Sequence, residues 1–204
     1  MGEKGSARSD DEDAQLMLRY ARGELPAFES LYARHRQALY RYLMRHTRHA
    51  DTANDLFQDV WSNLIASRER YQPRAKFRTF LYTLAHNCFI DHCRRSAARP
   101  QTDGAINVED AIAAPTTTQP DRHAEDAQML TRYRGALAQL PAEQRDAFLL
   151  YEESGLSLED IARITGVGAE TAKSRMRYAV NKLRQALEGD APPARGARAE
   201  GRGP

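Results

Sequence analysis

The sequence predicts an all-α protein made of two small helical domains that are joined by a flexible linker. Apolar residues recur at helical spacing over most of the 204-residue chain, and no convincing alternating strand pattern is present. Residues 97–128 break the helical pattern with three prolines and a threonine run, a composition typical of linkers. One helical domain is therefore expected on each side of this segment.

Charge follows the same division. The predicted segments are a disordered acidic N-terminus (1–13), an N-terminal helical bundle (14–96), the linker (97–128), a C-terminal helical domain (129–187) and a disordered tail (188–204). The bundle carries 14 Lys and Arg against 7 Asp and Glu, whereas the linker carries 2 against 6. Two regions with excess positive charge separated by an acidic connector suit a protein that contacts a polyanion at two places.

The N-terminal bundle is predicted to open with a short helix near residues 11–22. A second helix begins at Pro26, since proline fits the first helical turn, and a third begins at Asp51 or Thr52. The core side of the second helix includes Phe28, Leu31, Tyr32, Leu39 and Leu43. The apolar stripe of the third helix is formed by Leu56, Val60, Leu64 and Ile65.

The other side of the third helix is acidic and polar. Asp55, Gln58, Asp59 and Ser62 lie at positions i, i+3, i+4 and i+7, which places them on one face. Such a face suits a basic partner, and the alternative interpretation is an ordinary solvated surface.

A loop and a fourth helix combine cations, aromatic rings and hydrogen-bonding side chains. The helix starts FRTFLYTLAHNC, and this mixture is typical of surfaces where unstacked bases lie on aromatic rings while cations follow the phosphates. Packing in the core is the alternative for Phe77, Phe80, Leu81, Leu84, Ala85 and Cys88. The residues expected on the exposed side are Arg78, Thr79, Tyr82, His86 and Asn87.

Residues 156–187 predict a helix-turn-helix. Ser157 and Asp160 form a capping-box pattern, in which each side chain satisfies a free backbone amide at a helix start near Leu158. Gly166 can adopt the left-handed conformation that ends a helix, and a longer helix follows. A short helix, a glycine turn and a basic second helix are the pattern of a DNA reader.

The longer helix divides into two faces. Its predicted buried stripe consists of Ala172, Met176, Ala179, Val180, Leu183 and Leu187. Its predicted exposed face consists of Glu170, Thr171, Ser174, Arg177, Tyr178 and Asn181, flanked by Lys173 and Arg175, whose long side chains can reach phosphates. The alternative is a basic face that only contacts solvent, but the preceding cap, helix and turn favour DNA contact.

Several other classes of protein are disfavoured. No apolar run is long enough to span a membrane and the N-terminus lacks the apolar core of a signal peptide, so a cytoplasmic location without membrane insertion is expected. A phosphate-binding glycine loop, paired catalytic carboxylates and a nucleophile motif are absent from the sequence, so neither catalysis nor a cofactor is expected. A metal site at Cys88, His92, His86 and Cys93 is a weaker alternative to a buried thiol with surface imidazoles.

These motifs together resemble a bacterial RNA polymerase sigma factor of the small extracytoplasmic-function group of the sigma-70 family. The resemblance is carried by ANDLFQDVW (53–61), FRTFLY (77–82) with Ala85-His86-Asn87, and the Leu140-Pro141 helix before the helix-turn-helix. It covers residues 14–96 and 129–187, which would correspond to sigma regions 2 and 4. The function that it implies is binding to RNA polymerase core, direction of the enzyme to specific promoters and help in melting the minus-ten region.

The resemblance also implies partners and site residues. The clamp helices of the largest polymerase subunit would bind Asp55, Leu56, Gln58, Asp59 and Ser62. The minus-ten promoter element would contact Lys76, Phe77, Arg78, Thr79, Tyr82, His86 and Asn87. The minus-thirty-five element would contact Glu170, Thr171, Lys173, Ser174, Arg175, Arg177 and Tyr178. The acidic linker, from Asp103 to Asp126, would pass toward the polymerase active centre, and an anti-sigma protein is an expected inhibitor.

A stand-alone transcriptional regulator that binds an operator is the main rival interpretation. A helix-turn-helix alone would support it equally well, but it would leave the N-terminal bundle unexplained. Such a regulator would bind duplex DNA as a dimer, whereas a sigma factor acts as a monomer within the polymerase holoenzyme.

Overall fold

A computed structural model describes residues 3–47, 49–98 and 120–188. The N-terminal block consists of α1 (Glu3–Ala21), α2 (Leu25–His46), α3 (Ala50–Ser67) and α4 (Phe77–Ala98), with a 3₁₀ turn at Arg68–Arg70. The C-terminal block consists of α5 (Pro120–Ala138), α6 (Ala142–Ser154), α7 (Leu158–Thr165) and α8 (Ala169–Glu188). The described ranges contain no strand, and the prediction of an all-α fold is confirmed.

In the N-terminal block, α1 packs against α2 and α4, and α3 packs against α2 and α4. Pro26 lies in the first turn of α2, as the sequence predicts. Leu31, Leu39 and Leu43 are fully buried, and so are Val60 and Leu64 of α3. The prediction that Ile65 belongs to the buried stripe is wrong. Ile65 is 36 % exposed because it lies at the edge of the stripe, whereas its neighbour Leu64 faces the core.

The C-terminal block is organised around α8, against which α5, α6 and α7 pack. The helix-turn-helix is confirmed: α7 begins at Leu158, and Gly166 ends it with a φ of 69°. Because L side chains rarely adopt this left-handed backbone, glycine suits the position. On α8, Ala172, Ala179 and Leu183 are buried and the other residues of the predicted stripe are half-buried.

Two helices begin earlier than the sequence predicts. Helix α1 begins at Glu3 instead of Asp11, so the prediction of disorder is wrong for residues 3–13. Helix α5 begins at Pro120, inside the predicted linker. The extension of α5 contains good helix formers after a proline at the favourable first helical position, so helix propensity prevails there over pattern. The rest of the predicted linker (99–119) and the predicted tail from 189 onward lie outside the described residues.

The two blocks pack against each other. Helix α2 packs against α6, and α4 packs against α7 and α6; we call this contact the seam. The buried residues of α4, from Phe77 through Tyr82 to Phe89, cover an arc of about 200° at 100° per residue. A helix with one partner buries a narrower stripe. Helix α4 is thus covered by its own block on one side and by the C-terminal block on another.

The start of α7 is stabilised by its cap. The backbone amide of Asp160 donates to Ser157 Oγ over 3.1 Å, which confirms half of the predicted capping box. The other half is wrong, because the Asp160 carboxylate accepts hydrogen bonds from the Ser157 and Thr79 hydroxyl groups instead of serving as a backbone cap. The Asp160 carboxylate therefore contacts the N-terminal block across the seam.

We expect Ser157→Ala to reduce the free energy of unfolding by about 1 kcal/mol, because it leaves an amide of α7 without an acceptor. Urea unfolding followed by circular dichroism measures this difference. Ser62→Ala, the same change on the exposed face of α3, is the matched control and should have little effect. Equal stability of the two variants would contradict the role of the cap.

Candidate functional site

The exposed face of α8 is one candidate surface. Glu170, Thr171, Lys173, Arg177 and Tyr178 are exposed, as the sequence predicts. Ser174 and Arg175 are half-buried at its edge. The face is on the second helix of the helix-turn-helix, the element that enters the major groove in DNA readers of this type.

The contacts described for the cations on this face are two long ion pairs and one ring contact. Lys173 Nζ lies 3.9 Å from Glu170 Oε1, and Arg175 Nη2 lies 3.6 Å from Glu143 Oε2. The Arg177 guanidinium lies 5.4 Å from the centroid of the Tyr178 ring. Exposed ion pairs contribute little to stability, so phosphates or base edges can replace these partners at small cost.

The acidic face of α3 is a second candidate surface. Asp55, Gln58, Asp59 and Ser62 are all exposed along one side of the helix. Leu56 is a correction: only 1 % of its surface is exposed, since it belongs to the buried stripe on the opposite side. In this conformation Leu56 therefore lies in the core behind the acidic face.

The third candidate surface, around the start of α4, differs most from expectation. Lys76 and Asn87 are exposed, Arg78 and His86 are half-buried, and Phe77 is fully buried. Thr79 and Tyr82 were expected on the exposed side, and that prediction is wrong: they are 2 % and 1 % exposed. Thr79 is covered at the seam, where its hydroxyl group contacts Asp160 of α7. Tyr82 packs against Tyr42 of its own block, with 5.3 Å between the ring centroids.

Asp146 of α6 lies at the centre of the seam. The Tyr42 hydroxyl donates to Asp146 Oδ1 over 2.8 Å. His46 Nε2 lies 3.2 Å from the same oxygen, and His86 Nδ1 lies 3.0 Å from Asp146 Oδ2. Burial opposes ionisation of this carboxyl group, but the two imidazoles outweigh it and hold the pKa of Asp146 below its usual value.

Two further residues of α6 make polar contacts across the seam. The Glu153 carboxylate lies 2.8 Å from Arg41 Nε and 2.6 Å from Arg45 Nη1, and its side chain is only 4 % exposed. Arg78 Nη1 donates to the carbonyl oxygen of Ser154 over 2.8 Å. This carbonyl belongs to the last residue of α6, where a cation is favoured by the helix dipole.

Asp160 makes the corresponding contacts from α7. Its carboxylate accepts a hydrogen bond from the Thr79 hydroxyl over 3.1 Å, and Lys76 Nζ lies 3.5 Å away. Burial raises the pKa of Asp160, but the hydroxyl groups of Ser157 and Thr79 and the nearby cations lower it more, so the net shift is downward. The carboxylate therefore stays ionised at neutral pH.

Sequence reasoning missed the acidic residues of the C-terminal block. Asp146, Glu153 and Asp160 recur every seven residues, and the first two lie on one side of α6. The sequence contains a pattern that could have predicted them: carboxylates occur beside the apolar residues Ala147 and Leu150 of a short helix, which are buried. Charged residues at core-facing positions are buried only when they have partners, so this pattern indicates a polar contact.

The buried His46 predicts a pH dependence. Burial lowers its pKa, and the Asp146 carboxylate opposes this effect incompletely. Below about pH 6.5, His46 is therefore protonated in the unfolded chain more readily than in the folded chain. The free energy of unfolding decreases as pH falls through this range. We expect urea unfolding to show a loss of up to about 1.4 kcal/mol per pH unit from this residue.

Comparison with His46→Gln isolates the contribution of this residue, since Asp146, His86 and Arg145 remain in place around it. The variant should have a flatter dependence of unfolding free energy on pH between 7 and 5. Parallel curves for the two proteins would assign the effect to other groups.

A search of the described residues finds no helix that is both long and apolar enough to cross a membrane. Cys88 is buried, Cys93 is exposed, and both are free thiols.

Comparisons with known proteins find family models and relatives that match most of the chain. The family models described as Sigma-70 region 2 and Sigma-70, region 4 match residues 31–99 and 130–183. The RNA polymerase sigma factor CarQ of Myxococcus xanthus is 33 % identical over 171 residues, which are 84 % of this chain and 95 % of that protein. The ECF RNA polymerase sigma factor SigC of Mycobacterium tuberculosis is 30 % identical over 188 residues, which cover 92 % and 96 % of the two chains.

A solved structure is similar as well. The sigma factor RpoE of Bartonella quintana, crystallised in complex with the anti-sigma factor NepR, has a TM-score of 0.66 and 28 % identity. The similarity covers 80 % of this chain and 98 % of that one.

Proposed function

Because the chain belongs to the extracytoplasmic-function group of the sigma-70 family and is a sigma factor, we propose that it binds RNA polymerase core and directs it to promoters. The observation that carries the proposal is the exposed basic face of α8, which follows the capped α7 and the Gly166 turn. An exposed second helix with cations and a tyrosine suits major-groove readout of a minus-thirty-five element.

In this proposal the N-terminal block is region 2 and the C-terminal block is region 4. The acidic face of α3, consisting of Asp55, Gln58, Asp59 and Ser62, binds the clamp helices of the largest polymerase subunit. The support is its full exposure and its negative charge, which suits a basic partner. In this role the protein acts in the cytoplasm, beside the polymerase and the genome.

The start of α4 binds the melted minus-ten strand in the same proposal. Lys76, Arg78 and His86 supply positive charge, Asn87 supplies an amide for base contact, and Phe77, Thr79 and Tyr82 lie just behind them. Extruding a base costs a few kcal/mol, and stacking on an aromatic ring returns roughly 1 to 3 kcal/mol. Strand opening thus draws on binding energy, without catalysis by this chain.

We also propose an anti-sigma protein as an inhibitor. The similar structure from Bartonella quintana is a complex of this kind. Such a partner would prevent the candidate surfaces from reaching polymerase and DNA.

The experiment combines the purified protein with bacterial polymerase core and fragmented DNA from the source genome, and sequences the transcripts made with and without it. New transcripts that share minus-thirty-five and minus-ten elements are expected. Failure to bind core, together with binding to duplex DNA alone, would favour the operator-binding regulator instead.

A further inference from the structure

A buried carboxylate joins α1 to α2 inside the N-terminal block. Asp13 is 1 % exposed, and Arg34 Nη1 donates to its Oδ1 over 2.7 Å. His35 Nε2 lies 2.7 Å from Asp13 Oδ2, and we call these two residues the Asp13–His35 pair. Burial raises the pKa of Asp13, but the contacts with His35 and Arg34 lower it more, so the net shift is downward. A buried charge holds its partners in place, because loss of either one is strongly disfavoured.

The Asp13–His35 pair lies close to both ends of the loop that leads into α4. Residues 72–76 of this loop are exposed or half-buried, whereas Tyr71 and Phe77 at its two ends are buried. The centroids of the His35 and Phe77 rings are 5.2 Å apart. At the other end of the loop, burial and the nearby Asp13 carboxylate raise the pKa of Tyr71 to about 12.

The loop has little support of its own. Among the described residues, the backbone hydrogen bond within 72–76 runs from the Arg74 amide to the Gln72 carbonyl oxygen over 2.8 Å. Helix α1 packs against the 3₁₀ turn (Arg68–Arg70) before the loop and against α4 after it. The conformation of the loop therefore depends on its two buried ends, and α1 contacts the elements at both of them.

We propose that Asp13 is a positioning residue for minus-ten recognition, which acts through His35 on Phe77. This inference rests on the proposed function, in which Lys76 and Arg78, the neighbours of Phe77 in the chain, contact the melted strand. Side chains that read a base need supporting contacts that hold them close to the productive geometry. The match to the Sigma-70 region 2 model begins after α1, so Asp13 provides this support from outside the matched segment.

The test uses the full-length chain in complex with polymerase core. Asp13→Asn keeps the shape of the side chain and removes its charge, and His35→Gln removes the ring beside Phe77. Two controls are matched to Asp13→Asn. Glu12→Gln is the corresponding change at the exposed position next to it, and Ala14→Gly loosens α1 at a buried position that is not part of the pair. Circular dichroism establishes which variants keep the helical fold, and His35→Gln serves as the test where Asp13→Asn does not fold.

The first readout is discrimination between promoters. Transcription is measured on the promoter found with the wild-type protein and on the same promoter with one minus-ten base substituted. We expect Asp13→Asn and His35→Gln to lower the ratio of the two rates by about fivefold, because a displaced reader loses selectivity. Glu12→Gln and Ala14→Gly should keep the wild-type ratio, and all four variants should keep the wild-type affinity for core. A wild-type ratio in a folded Asp13 or His35 variant would overturn the proposal.

The second readout separates positioning from a loss of stability. Phe77→Leu is combined with Asp13→Asn, and discrimination is measured for the single and double variants. Because Asp13 is proposed to act on Phe77, Asp13→Asn should lower discrimination no further in the Phe77→Leu background. Independent losses from the two changes would mean that Asp13 only stabilises the block, and would refute the positioning role.

The third readout needs neither polymerase nor DNA. Amide hydrogen exchange in residues 71–77 of the free protein should be faster in Asp13→Asn than in Ala14→Gly and the wild type. Equal exchange in the three proteins would refute the support of the loop by Asp13. Absence of initiation by the wild type would instead refute the proposed function and the role in recognition, and faster exchange in Asp13→Asn would then still assign the support of the loop to Asp13.

Discussion

Reversing the charge of Asp59, by Asp59→Lys, is expected to weaken binding to RNA polymerase core by on the order of tenfold or more. Asp59 is exposed on α3 beside Asp55 and Gln58, so the reversal replaces attraction for a basic partner by repulsion. The side chain belongs to no buried cluster, and the fold should be unaffected. Core affinity measured by biolayer interferometry tests this expectation.

Glu29→Lys provides the control for Asp59→Lys. Glu29 is an exposed acid on α2, outside the acidic face of α3, and its reversal changes the net charge of the protein equally. A loss of affinity confined to the Asp59 variant supports a specific contact. Full core affinity of Asp59→Lys with a native circular dichroism spectrum would remove α3 from the polymerase interface.

The second large effect is expected at the recognition helix. Arg177→Ala should abolish or relax dependence on the minus-thirty-five sequence, because Arg177 projects from the exposed face and lies over Tyr178. A specific side-chain contact with a base pair is worth about 1 to 3 kcal/mol of discrimination. Promoter-directed transcription on matched and mutated minus-thirty-five elements measures the change.

Lys173→Ala should behave differently, since an exposed lysine at the edge of the face suits a phosphate. We expect weaker DNA binding on all sequences and a decrease of about one in the slope of log affinity against log salt. Arg184→Ala, an exposed cation further along α8, controls for loss of charge alone. Unchanged footprints for both Arg177→Ala and Lys173→Ala would refute the assignment of this face.

Features set by local sequence were predictable. The helix-turn-helix follows from a cap residue, a glycine and helical spacing, which act over a few residues, and Ser157, Gly166 and the two faces of α8 are as predicted. The exposure of Asp55, Gln58 and Asp59 follows from the same periodicity. In each case the exposure of a side chain depends only on its position on one helix and on the core against which that helix packs.

Features set by contacts between distant segments were not predictable in this way. Thr79 lies on the side of α4 that faces the C-terminal block, and its hydroxyl group contacts Asp160 of α7. The role of Asp146 depends on Tyr42, which lies 104 positions away in the chain. Helical periodicity predicts which face of a helix is apolar. It does not predict which distant segment of the chain covers a polar face.

The separation of Tyr42 and Asp146 along the chain also bears on the order of folding. Most helix contacts within each block join segments close in sequence, and such contacts form quickly because little chain entropy is lost in closing short loops. Formation of the seam closes a loop of about a hundred residues, which costs chain entropy. The contacts that compensate this cost can form only after both blocks have folded. We therefore expect refolding to show a fast phase for the blocks and a slower docking phase, of which Tyr42→Phe should alter only the second.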